Sequence, residues 1–261
     1  MQRRDFLIFA AASGLLSGTA AAAPVAGTAL SLPVAINKSG RLRMLSLRGA
    51  KAWLLLVQGV LPERAKSILA QSLASFEQIL GELKTLQSGD DIRGLAQTLD
   101  QEWRAYRPLL ADVRADPKAV WTHSEAVLAA AQALTVAYEK AAGTSSGKLV
   151  NLSGRQRMLS QRMAKAYLFR QMGVNAAEAG SMLDTAMKEF AKAHEQLKAA
   201  AQSTAQIKSE LALVEQQWFF FQNALQMRAA TDRVKAASDV GTTSERILEQ
   251  MDLVVGLYER L

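Results

Sequence analysis

The 261-residue sequence has no cysteine, which excludes disulfides, thiolate metal sites, iron–sulfur clusters and covalently attached haem. It has only two histidines, His123 and His194, so imidazole chemistry is thin. Glycine and proline are sparse beyond the N-terminal leader, and strand signals are nearly absent. No run of about 18 or more uncharged apolar residues follows the leader, so no membrane span is expected in the mature chain. No nucleophile with a base and an orienting group stands out, nor does a glycine-rich phosphate cradle or a Glu-x-x-His pair for a di-metal bundle. Glu189 and His194 come nearest, but five positions on a helix separate their faces, and they read as solvated surface. An enzyme is therefore not expected, and neither a cofactor nor a metal.

What is present is a basic chain with a formal net charge of +7. The charges of both signs are interspersed, the pattern of a solvated helical surface, so no nucleic-acid partner is expected. A polyanion such as a lipid head group remains a minor reading, with steep salt dependence as its mark. The chain opens with MQRRDFLIFAAASGLLSGTAAAAPVAGTA, a short basic start, a mildly apolar run and then small residues, as in an export leader. Arg3-Arg4-Asp5-Phe6-Leu7 fits the twin-arginine pattern, with an ordinary secretory leader as the alternative. Cleavage between Ala20 and Ala26 assigns residues 1–26 to the leader and places the mature chain in the periplasm. With no cysteine, a lipid anchor is excluded.

Apolar residues recur at three- and four-residue spacing after the leader, which predicts amphipathic helices. Pro33 and Pro62 suit first helical turns, Asp90 offers an N-cap after the turn SGDD, and Asp116-Pro117 separates a third helix from a fourth that ends near Ala142. The segment GTSSG then closes one half. In the second half, starts are signalled by Ser146, by Asn175 with Glu178, and by Thr242 with Glu245 in a capping-box arrangement.

The two halves repeat each other. INKSGRLRMLSLRGAKAWLLL from Ile36 returns as VNLSGRQRMLSQRMAKAYLFR from Val150, 114 residues on. Phe76 and Leu83-Lys84 recur at the same offset as Phe190 and Leu197-Lys198, Trp103 matches Trp218 at an offset of 115, and Ser124-Glu125 and Tyr138-Glu139 match Ser244-Glu245 and Tyr258-Glu259 at 120. The expected fold is all-α: two tandem up-down four-helix units, 33–142 and 147–261, packed as an intramolecular pseudo-dimer of eight helices. Four antiparallel helices return the chain to its starting end, so the fifth helix can run parallel to the first and pack on it.

Gly40, Arg43, Leu47, Ala50, Leu54 and Val57 form one stripe of the first helix, and Gly154, Arg157, Gln161, Ala164, Leu168 and Gln171 form its counterpart. An arginine inside such a stripe calls for something negative to meet it, because an unpaired buried charge costs several kcal/mol. Each glycine one turn earlier leaves room and an approachable backbone. Two such arginines facing each other could hold a small planar oxyanion between them. Alternatively, Arg43 and Arg157 pair with carboxylates, with Glu102 and Glu215 as candidates. Asn37 and Asn151 lie one turn before the glycines and cap or line the pocket; Arg48 and Arg162 flank it; Arg41 and Arg155 sit off the seam, in solvent. Leu47 against Gln161 and Val57 against Gln171 warn of imperfect symmetry. Phe219 to Phe221 cannot all face one side, leaving some for another surface.

The two quoted segments resemble the motif of the sensor module at the N-termini of type IV pilus chemotaxis transducers (PilJ-type) and of nitrate/nitrite sensor kinases (NarX-like). The second copy is more similar to the pilus-transducer form, the first to the nitrate-sensor form. The resemblance implies a periplasmic four-helix bundle that dimerises through its first helix. In nitrate-sensing members it implies nitrate held at the dimer axis by this arginine and by backbone near the glycine, which selects Arg43 with Gly40 and Arg157 with Gly154. Unlike those receptors, the sequence shows no second membrane helix, kinase or methyl-accepting region.

The expectation is thus an exported binding protein for a small anion such as nitrate or nitrite, held between the first helices of the two repeats and presented to a membrane receptor or transporter component. The alternative is a helical adaptor of the envelope or pilus chemosensory system that binds no ligand.

Overall fold

The computed structural model describes residues 31–86, 89–226 and 232–261. The leader read at 1–26 lies outside them. Among the described residues there are eight helices and no strand: α1 (Leu32–Val57), α2 (Pro62–Thr85), α3 (Asp90–Ala111), α4 (Pro117–Ala142), α5 (Ser145–Met172), α6 (Ala176–Ala199), α7 (Ala205–Gln226) and α8 (Arg233–Glu259). The expected all-α class and its tandem four-helix units are present. No helix among the described residues is long and apolar enough to cross a membrane.

Proline stands in the first turn of α1, α2 and α4, where its missing N–H leaves no gap. The turns after α1 and α5 match in detail. Gly59 (φ 67°) and Gly173 (φ 75°) end the helices in the left-handed region, and two residues on Leu61 and Asn175, both at φ 47°, open the next ones. Asparagine tolerates that conformation better than leucine, so the first half carries more strain there.

Several start signals are corrected. Asn175 occupies the N-cap position but makes no side-chain cap, and Gly89 rather than Asp90 is the N-cap of α3. Thr144, not Ser146, caps α5 by accepting from the Gly147 N–H. Thr242 and Glu245 lie in the middle of α8, which begins ten residues earlier than their capping-box pattern implies. Its true cap is Asp232, accepting from the Lys235 N–H at 2.8 Å. Glu245 looked like a capping carboxylate but is spent on buried cations.

Within each half, the first helix packs on the second and fourth, and the third packs on the fourth. α1 and α5 then pack against each other, parallel and in register: Ile36 reaches Gly147, and Arg43 reaches Gly154. α8 also touches α1, and α4 touches α5, so α1, α4, α5 and α8 form a four-helix layer between the halves. This explains why α1 and α5 are apolar over more than one face.

The repeated aromatics are core. Trp103 stacks on Phe76 at 3.7 Å, and Trp218 lies on Phe190 at 4.5 Å. His194, read above as solvated, is instead buried beside Phe190, where the first half has Leu80. Burial holds its imidazole below the ordinary histidine value. Phe221 is buried, while Phe219 and Phe220 are 61% and 55% exposed and meet edge to face.

The corrected cap of α8 is testable. Asp232→Ala should cost about 1 kcal/mol in denaturant unfolding, the usual loss for an N-cap carboxylate, whereas Thr242→Ala should stay within about 0.5 kcal/mol. The reverse order would restore the capping box to Thr242.

Candidate functional site: a paired arginine seam

Arg43 projects from α1 and Arg157 from α5, and each folds back over the glycine three residues before it. A Cβ on Gly40 would sit 3.0 Å from Arg43 Nη2. One on Gly154 would sit 3.3 Å from Arg157 Nη2 and 3.6 Å from Arg43 Nη2. Both guanidiniums therefore lie against the same glycine. Arg43 is 0% and Arg157 1% exposed, so these are among the largest fully buried side chains in the protein.

Their partners cross between the halves. Arg43 Nη2 donates to Asn151 Oδ1 at 2.8 Å, and Arg157 Nη2 donates to Asn37 Oδ1 at 2.7 Å. Each asparagine turns its NH2 to a carboxylate of the other half, Asn151 to Glu139 and Asn37 to Glu259. The seam is thus a reciprocal pair of arginine–carboxamide–carboxylate relays. Asn37 also lines a surface cleft with Lys38, Arg41 and Glu259, so one carboxamide separates that cleft from Arg157.

The fourth helices break the symmetry. Arg157 Nη1 donates to Asp252 at 2.7 Å, a carboxylate of its own half. The matching contact of Arg43, 120 residues earlier, is Gln132 at 2.5 Å, which is neutral. Neither arginine meets Glu102 or Glu215, the carboxylates considered from sequence; Glu215 pairs with Lys198. Burial, then the neighbouring charges of Arg155 and Arg157, pull Arg43 well below the ordinary arginine value, and Glu139 opposes them. Arg157 is lowered too, chiefly by burial, with Asp252 opposing the shift. Its Nε is buried with no hydrogen-bond partner among the described residues.

Arg48 and Arg162, expected to flank the pocket, turn away from the glycines and into two further networks. Arg48 and the fully buried Lys51 of α1 both bind Glu245 of α8, and Lys51 also donates to Ser244. In the other half Arg162 and the fully buried Lys165 of α5 bind Glu125 of α4, with Ser124 as the second acceptor. Arg41 and Arg155, placed in solvent by the sequence reading, are partly exposed and paired with Asp252 and Glu189. Sequence reasoning did not single out Lys51, Lys165, Gln132 or Asp252. The first two repeat at the offset of 114, and Gln132 and Asp252 share the offset of 120 that marks the fourth helices.

Burial pushes both lysines down to about 8, against the pull of their glutamates. Burial alone would raise Glu245, but Lys51 and Arg48 outweigh it and hold the carboxyl at about 2. A carboxyl that binds its proton more weakly in the folded state stabilises fully above the unfolded value, and that stability is lost as the pH falls from about 4.5 toward 2. Glu245→Gln should therefore lower the melting temperature at pH 7 and flatten the acid loss by something on the order of 3 kcal/mol. An acid profile as steep as that of the parent protein would mean that other carboxylates dominate.

The family model of the type IV pili methyl-accepting chemotaxis transducer N-terminus, PilJ, matches this chain twice, over residues 28–143 and 140–243. No curated protein matches it, and no solved structure does. The two matches cover most of the chain, one on each four-helix unit, and each includes the Gly-x-x-Arg step that builds the seam. The chain belongs to the PilJ family and carries its domain in tandem.

Proposed function

We propose that this protein is a sensory binding module, not an enzyme, and that it takes a small oxyanion such as nitrate or nitrite between α1 and α5. The observation behind this reading is the convergence of two buried guanidiniums on Gly154, one of them, Arg43, with only carboxamides as side-chain partners among the described residues. Carboxamide oxygens are neutral acceptors. An anion's oxygens make stronger, charge-assisted bonds to the same N–H groups, so an entering oxyanion could displace Asn151 and Asn37 from the forks. Arg43 and Arg157 would bind the anion directly, Gly40 and Gly154 would provide the room, and Asn37 and Asn151 would move aside or turn their NH2 groups inward. The leader-like start favours a periplasmic location, and the family description favours a membrane receptor of the chemosensory system as the partner.

A ligand-free adaptor is the second reading. It is favoured by the Arg157–Asp252 pair, which neutralises half of the seam internally.

The two readings separate in thermal melts of the mature chain with nitrate, nitrite, chloride and sulfate at matched ionic strength. Binding to the folded state alone raises stability by about 2.7 kcal/mol at a hundred times the dissociation constant. Stabilisation by nitrate or nitrite, absent in Arg43→Gln, is expected. If no anion shifts the melt, the adaptor reading takes its place.

A further inference from the structure

The two halves of the seam differ at one pseudo-equivalent pair, Gln132 on α4 and Asp252 on α8. Each faces Nη1 of the arginine on the first helix of its own half, at 2.5 and 2.7 Å. Asp252 cancels the charge of Arg157 and shares the remainder with Arg41. Gln132 cancels nothing. The other charges near the forks are Glu139 and Glu259, each held off by an intervening asparagine, and Arg155, which Glu189 already pairs.

Resting on the anion-clamp reading above, we propose that the clamp is one-sided. Arg43 carries the charge of the ligand, Arg157 fixes its position, and Gln132 is the residue that sets the preference for a single negative charge. Three physical points support this. First, a buried charge needs a direct counter-ion or strong hydrogen bonds, and with Asp252 on Arg157 it is Arg43 whose guanidinium touches no carboxylate, Glu139 standing one asparagine away. Second, a carboxamide can rotate from accepting the Arg43 N–H to offering its own NH2 to an anion, whereas a carboxylate can only accept. Gln132 can therefore become an anion donor and Asp252 cannot. Third, a dianion would leave a surplus negative charge in a site with no exposed surface at Arg43, at a large desolvation cost. The chemical class is a compact, planar monoanion, one per chain.

Gln132→Glu places a carboxylate where the ligand's charge would be compensated. It changes one atom of the side chain and adds an ion pair to Arg43, so the variant should remain folded. With sodium nitrate and sodium sulfate as probes at matched ionic strength, calorimetric titration of the parent protein should show one nitrate per chain and little response to sulfate. Gln132→Glu should bind nitrate at least about tenfold more weakly, with a raised melting temperature in nitrate-free buffer. Asp252→Asn, which frees the charge of Arg157, should gain a response to sulfate. If the parent protein binds nitrate and Gln132→Glu binds it equally well, the role of Gln132 is overturned while the clamp stands. Equal binding of sulfate and nitrate by the parent protein would overturn the charge preference. If the parent protein binds no anion, the clamp falls, and this inference falls with it.

Discussion

Lys51 and Lys165 have no exposed surface, and each takes its neutralising carboxylate from the other half of the chain. Removing such a pair from water is costly, and removing one partner afterwards is costlier still, because it leaves the remaining ion buried and alone. The two four-helix units therefore cannot slide or part without stranding buried cations. This constraint fixes the register of α1 against α5, and the register brings Gly40, Arg43, Gly154 and Arg157 into one layer. The arginine seam depends on the lysine networks lying about two turns further along the same helices.

The seam uses a different chemistry from the networks that align it. Lys51 and Lys165 meet carboxylates directly, and so does Arg157 through Asp252, whereas the side-chain partners of Arg43 are the carboxamides Asn151 and Gln132, with Glu139 one step behind. Direct ion pairs are hard to exchange for a ligand. A carboxamide bridge satisfies geometry while leaving most of the electrostatic attraction unspent. Tight pairing thus sits where alignment is needed, and the looser, neutral pairing is confined to Arg43.

The fold was legible because its signals repeat. Apolar spacing, the prolines and the duplicated motif each indicated two helical units, and the paired offsets of 114 and 120 anticipated which positions would be structurally equivalent. Arg43, Arg157, the two glycines and the two asparagines were found because a charge in an apolar stripe is conspicuous. Gln132 and Asp252 were not, because a glutamine and an aspartate on a half-exposed helix face look ordinary until the opposing arginine is placed. Ser124-Glu125 and Ser244-Glu245 were visible as repeat markers, but their role depends on helices that pack across the halves, which no local pattern records. The capping box at Thr242 failed for the same reason: the spacing fits a helix start, while the long-range partners of Glu245 lie nearly 200 positions away.

The short link between α4 and α5, with Gly143 in the left-handed region and Thr144 as cap, joins the two units in a single polypeptide. In a dimer of identical chains any substitution occurs on both sides of the axis, so a neutral residue could never face its charged counterpart. Fusion removes that bond between the sides. One arginine can keep a permanent counter-ion while the other goes without, and the outer surfaces can diverge as well, with Phe219 and Phe220 where the first unit has Arg104 and Ala105. The molecule thus presents two distinguishable faces on an internally near-symmetric frame.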